Sequence, residues 1–104
     1  MTIGKNTKIW YILIMNKWTV ELTKNAYKQF KKLPGLIQEL TDEAILALEL
    51  EGAIPKFWDC KKIGEDEYRV RLNYHYRMKY KIKNTQLIIE VFYIGHRKNA
   101  YRKT

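Results

Sequence analysis

EYRVRLNYHYRMKYKI, residues 67–82, reads as two amphipathic strands joined by a short turn. Tyr68, Val70 and Leu72 alternate with Arg69 and Arg71; after the turn, Tyr76, Met78, Tyr80 and Ile82 alternate with Arg77, Lys79 and Lys81. A two-residue period sends alternate side chains to opposite faces of a sheet. One face therefore offers apolar residues to a core, and the other presents five cations. Such alternation is also what the solvated side of any amphipathic sheet looks like. Here, however, like charges on adjacent strands repel by roughly a few tenths of a kcal/mol per pair. On these two strands only Glu67, at the edge, relieves that repulsion. The clustering therefore favours a functional face.

Working outward, FWDCKKI (57–63) and QLIIEVFYI (86–94) are two further β-rich segments, with GED and KNT as turn signals between strands. QLIIEVFYI is apolar on nearly every residue, which predicts a central strand covered on both faces. It would deliver Gly95, His96, Arg97 and Tyr101 to the rim of the cationic face. Upstream, KWTVELT (17–23) alternates as a first strand, and Thr23 is placed to cap a helix carrying Ala26, Phe30 and Leu33 before Pro34-Gly35 ends it. A second helix over 36–51 aligns Ile37, Leu40, Ala44, Ala47 and Leu48, with Gly52 as its stop. The order β-α-α-β-β-β-β predicts an α+β domain: an N-terminal strand, then a two-helix hairpin packed on one face of a mostly antiparallel twisted sheet. The opposite face would stay open.

A chain of 104 residues has room for one such core. Its 46% hydrophobic content and two prolines are those of a globular protein. Twenty Lys and Arg against eleven Asp and Glu give a formal net charge of +9, which draws in polyanions or acidic proteins. The single cysteine, Cys60, rules out an internal disulfide, and Cys/His spacing offers no metal site, so a reducing cytoplasm and no metal or other cofactor are expected. IWYILIM (9–15) is far shorter than the ~20 residues that span a bilayer, so no membrane association is expected. Met15 ends that run immediately before NKWTVELT, so residues 1–14 are expected to be an upstream extension or alternative start, with IWYILIM an extra hydrophobic arm or a longer first strand and 15–104 the single domain.

The chemistry open to these residues is metal-free RNA cleavage through the 2′-hydroxyl. That reaction must deprotonate the hydroxyl, neutralise the crowded phosphate and protonate the departing 5′-oxygen. Arginine grips phosphate as a planar fork, histidine titrates near neutrality, and tyrosine can stack on a base or give a proton. Against this, His96 alone reads as a turn residue and Tyr101 alone as a packed aromatic. There is no Gly-rich phosphate loop and no GxSxG elbow, and Cys60 sits in an apolar strand where a structural thiol is the plainer reading.

EYRVRLNYHYRMKYKI followed by LIIEVFYIGHRKNAYRK (87–103) resembles the C-terminal half of the RelE/ParE superfamily of bacterial toxin–antitoxin toxins, and in particular its RelE-like branch. The resemblance spans about residues 16–103, including the KKIG turn before the basic strands. It rests on the paired cations of YRVR, the YR opening the next strand, and GHR with a tyrosine four residues on. It implies the RelE-like fold and a small endoribonuclease that enters the ribosomal A site, cleaves mRNA and so inhibits translation, until a cognate antitoxin protein blocks it. The implied catalytic set is Arg69, Arg71, Arg77, Arg97 and Tyr101, with His96 added for acid–base work. Lys61, Lys62, Lys79, Lys81, Lys98 and Arg102 are candidates for RNA contact.

Two departures stand out. The family's ribonucleases carry lysines where this chain has Arg69 and Arg71, and arginine, with a pKa above ~12, is a poor general base. Tyr101 also lies closer to Arg97 than in the archetype. The resemblance leaves open the ParE branch, which poisons DNA gyrase without nuclease chemistry, and an RNA-binding relative that has lost catalysis.

Overall fold

A computed structural model describes residues 18–83 and 87–100. The 9–15 stretch, the alternative start at Met15, most of the KNT turn, Tyr101 and Arg102 lie outside the described residues.

The elements run β1 (Thr19–Leu22), α1 (Lys24–Lys31), α2 (Gly35–Glu51), β2 (Cys60–Lys62), β3 (Glu67–Arg71), β4 (Tyr76–Lys83), β5 (Ile88–His96) and α3 (Arg97–Ala100). The strands form one sheet in the order β1-β5-β4-β3-β2. β2 to β5 are antiparallel neighbours, while β1 adds to β5 in parallel.

Local chemistry accounts for the helix ends. Thr23 Oγ1 accepts the Ala26 N–H at 3.0 Å, capping α1. Gly52 closes α2 at φ +89°, a backbone state that favours glycine, and an added Cβ would stand 3.1 Å from the Trp18 indole nitrogen. α2 buries Ile37, Thr41, Ala44 and Leu48. Thr41, a polar residue in this stripe, is satisfied by donating to the Ile37 carbonyl at 2.7 Å.

Both helices cover one sheet face. Ala26, Ile37, Ala44 and Leu48 join Val70, Met78, Tyr80, Ile89, Val91 and Ile94 in a single core. Tyr80 is fully buried there because its hydroxyl donates to the Ala53 carbonyl at 2.6 Å.

Two expectations are corrected. The segment 57–63 pairs only over Cys60–Lys62, and Phe57 is 90% exposed. β5 is not covered on both faces: Ile89, Val91 and Ile94 are buried, while Ile88, Glu90 and Tyr93 stay half-exposed. The sequence alternation breaks because the register slips between Lys79 and Tyr80, whose partners are Tyr93 and Val91. Phe92 is the extra residue, and such a bulge lets Ile94 return to the core side.

Candidate active site

The register resolves the open face into rows across the strands. One row runs Lys61, Arg69, Lys79, Tyr93, and the next runs Arg71, Arg77, Gly95. On the other side of the first lies Glu67, Lys81, Glu90, Glu21. The expected face therefore exists, but its cations are unequally engaged.

The relief of repulsion that β3 and β4 lack comes from elsewhere in the chain. Asp59, just before β2, reaches Arg69 at 3.3 Å and Arg71 at 3.4 Å. Glu90 on β5 meets Lys81 at 3.7 Å and Lys83 at 3.2 Å. Arg69 is 8% exposed and Arg71 clearly more open. Arg77 is 3% exposed, and it does not project as a free cation. Its Nη1 donates to the carbonyls of Asn73 (2.9 Å), Tyr74 (3.1 Å) and Tyr76 (3.3 Å), clamping the β3–β4 turn. Its buried Nε has no hydrogen-bond partner among the described residues.

The turn is further fixed by Asn73, whose Oδ1 accepts the N–H groups of His75 and Tyr76, each at 2.8 Å. The Arg97 N–H donates to the His75 carbonyl at 2.6 Å, tying this turn to the start of α3. Four rings and a guanidinium meet there. Arg97 lies over the Tyr74 ring at 4.8 Å, Tyr74 meets His75 edge-on at 5.0 Å, His75 stacks on His96 at 5.6 Å, and Tyr76 meets His96 at 5.6 Å. Among the described residues, neither Arg97 nor Lys98 has a carboxylate partner.

His96 Nδ1 accepts the Lys98 N–H at 3.1 Å. That bond requires an unprotonated Nδ1, so the neutral ring carries its proton on Nε2 and offers a donor outward. Loss of water around the half-buried ring, then the charges of His75, Lys98, Arg97 and Arg77, hold His96 below the ordinary histidine pKa.

Gly95 lets Tyr93 fold across the sheet: a Cβ there would stand 2.6 Å from the phenol oxygen, which donates to the His96 carbonyl at 3.1 Å. Burial pushes the Tyr93 phenol above its usual pKa. On the neighbouring edge, Gln29 Oε1 accepts the Ile94 N–H at 2.8 Å, where β5 has run past the end of β1. A cleft of about 260 Å³ opens here, lined in part by Gln29, Lys32, Tyr76, Tyr93, His96 and Asn99.

Of the residues singled out in the sequence, Arg77, His96 and Arg97 meet at this corner, Arg71 lies in the same row as Arg77 with its side chain on Asp59, and Arg69 with Lys61 and Lys79 lies one row away. Lys62 pairs in register with Tyr68 and so belongs to the opposite face, away from Lys61. Lys81 lies in the row paired with Glu90. Burial raises the Cys60 thiol pKa, so the thiol is no ready nucleophile. The sequence reading missed Asp59, Tyr74, His75 and the corner role of Tyr76. The signal for three of them was the YHY run, an aromatic and an imidazole placed at a hairpin turn.

Residues 20–101 match the family model described as "ParE toxin of type II toxin-antitoxin system, parDE". The chain belongs to the ParE toxin family. It thereby falls within the RelE/ParE superfamily of type II toxins, as the basic strands and the GHR corner led one to expect. No curated protein sequence matches it. Solved structures with the same fold include an archaeal RelE–RelB complex from Pyrococcus horikoshii, with TM-score 0.66 and 24% identity over 78% of this chain and 96% of that one. The YoeB dimer from Staphylococcus aureus gives TM-score 0.65 and 14% identity over 76% of this chain and 95% of that one. A YoeB/ParE toxin from Agrobacterium tumefaciens gives TM-score 0.66 and 10% identity over 75% and 96%. At these identities the structures share the fold.

Proposed function

We propose that this type II toxin is a ribosome-dependent endoribonuclease that cuts mRNA and stops translation in the cytoplasm. The observation that carries the reading is the corner where His96, held neutral, stacks on His75 beside Arg97, which has no carboxylate partner among the described residues. A gyrase inhibitor has no need of an imidazole pair set among phosphate-binding groups.

In the proposed reaction the 2′-oxygen attacks phosphorus, the bond to the 5′-oxygen breaks, and the proton lost by the first oxygen ends on the second. Arg71 and Arg97 bind the phosphate oxygens and stabilise their added charge. His96 carries that proton once the Lys98 N–H leaves Nδ1: the freed Nδ1 takes the proton of the 2′-hydroxyl, and the imidazolium so formed gives its Nε2 proton to the departing 5′-oxygen, leaving the ring neutral again. Arg69, tied to Asp59, adds positive field rather than a free fork. Arg77 acts by holding the turn. Tyr101 keeps the stacking or donating role that the family resemblance gives it. No metal or cofactor is required by this scheme.

The basic surface also fits a cognate antitoxin of acidic or amphipathic character. The RelE of the Pyrococcus horikoshii structure is complexed with RelB, which supports such a partner here.

A second reading is favoured by one observation: the matching family model is that of ParE. In that case the chain would inhibit DNA gyrase. Expression in a bacterial host with pulse-labelled amino acid and thymidine separates the two. Arrest of protein synthesis first supports the nuclease, and arrest of replication first supports gyrase.

A further inference from the structure

The turn between β3 and β4 is held far more tightly than its exposure calls for. Two Asn73 acceptor bonds, the Arg77 clamp on the carbonyls of residues 73, 74 and 76, and the Arg97 N–H on the His75 carbonyl fix its backbone. Yet the residue at its tip, Tyr74, remains 65% exposed, and His75 is exposed beside it. An aromatic tip that merely fills space would be folded inward. Here the Arg97 guanidinium covers one face of Tyr74, and the flank of His75 is set by His96.

We infer that Tyr74 and His75 form a nucleobase-stacking subsite for single-stranded RNA, placed so that Arg97 takes the adjoining phosphate. Every base has a π-face, so such a subsite accepts any unstacked base. A cation held against the same ring adds attraction for the backbone. Duplex RNA, whose bases are already stacked, would gain nothing from it. The inference rests on the RNA reading above and adds to it a place for the base, on a turn rather than on the C-terminal tail.

The test uses the full chain and two fluorescent hexamers that cannot be cleaved: a 2′-O-methyl RNA, and an abasic chain with the same number of phosphates. Binding is read by anisotropy across a salt series. The wild-type chain should bind the RNA about tenfold or more tightly than the abasic chain. The double variant Tyr74→Ala/His75→Ala should lose that preference with an unchanged salt slope. Tyr74→Phe, which keeps the ring, should retain it, so a general loss of fold is told apart from loss of the stack. Equal binding of both hexamers by the wild type, or a preference surviving in the double variant, would overturn the subsite and leave the nuclease reading standing. Failure to bind either hexamer at low salt would also overturn the subsite, while the ribosome-dependent nuclease reading stands or falls separately on cleavage of message in a translation reaction.

Discussion

The open sheet face has two ends built from the same alternating pattern, and they differ in what neutralises them. Toward Lys81 and Lys83, the acids Glu90 and Glu21 stand in register and complete a compact ion-pair group. Toward Arg71, Arg97 and Lys98, Asp59 is the one acid that intervenes among the described residues, and there it reaches Arg69 and Arg71. The first end has the charge balance of a structural surface. The second, with its rings and neutral imidazole, keeps a positive excess, which suits the phosphate of the proposed reaction. Equal numbers of cations in a strand therefore do not mean equal availability.

The largest effect should come from Arg77→Ala. It strips the donors from the turn carbonyls at a nearly dry position, and loss of about 2–3 kcal/mol in urea unfolding is expected. Activity would fall too, by way of the turn, so this substitution blurs the comparison between the two ends instead of testing it. A near-zero change in stability would mean that the clamp does not hold the turn.

Sharper is the pair Arg71→Ala and Lys81→Ala, each of which removes one positive charge. The first should slow cleavage about tenfold or more, because Arg71 meets Asp59 through Nε and keeps its Nη groups for phosphate; the second should slow it about twofold at most, because the single ammonium of Lys81 is already committed to Glu90. Matching losses would show that only net charge counts and that the two ends are equivalent.

Gly95→Ala should cost about 1 kcal/mol, since its methyl displaces the Tyr93 phenol from its bond to the His96 carbonyl. In a double-mutant cycle, Tyr93→Ala should abolish most of that cost. If the cost is additive, the ring over Gly95 is not its cause.

The smallest effect is the His96 titration. In the unfolded chain the ring titrates near 6.5, and in the folded chain lower. Between those two values the unfolded chain binds more protons, so stability falls slightly as pH drops through that window, and the loss is complete below the folded pKa. Proton NMR of the imidazole should give a midpoint under 6.5; a midpoint above it would contradict the cationic surroundings described.

Local signals made much of this fold legible in the sequence: the Thr23 cap, the Gly52 stop and the alternation across 67–82 all act within a few residues. What escaped was set by distant partners. The Phe92 bulge reverses the alternation of β5, and only pairing with β4 reveals it. The burial of Arg69 depends on Asp59, ten residues away, and that of Arg77 on the carbonyls of the turn it folds over. His75 reads as a turn residue until β5 brings His96 alongside it. The arginines of the site were thus visible as residues, while their division into free and committed side chains was not.

The most direct measurement is mRNA cleavage in a reconstituted translation reaction, with transcript ends mapped by primer extension for the wild-type chain, Arg71→Ala, Arg97→Ala and Lys81→Ala. Cuts that appear only with ribosomes, weaken with either arginine variant and persist with Lys81→Ala are the expected result. Intact message under continuing translation, with gyrase supercoiling blocked in a parallel assay, would contradict the nuclease reading and assign the toxin to the other branch.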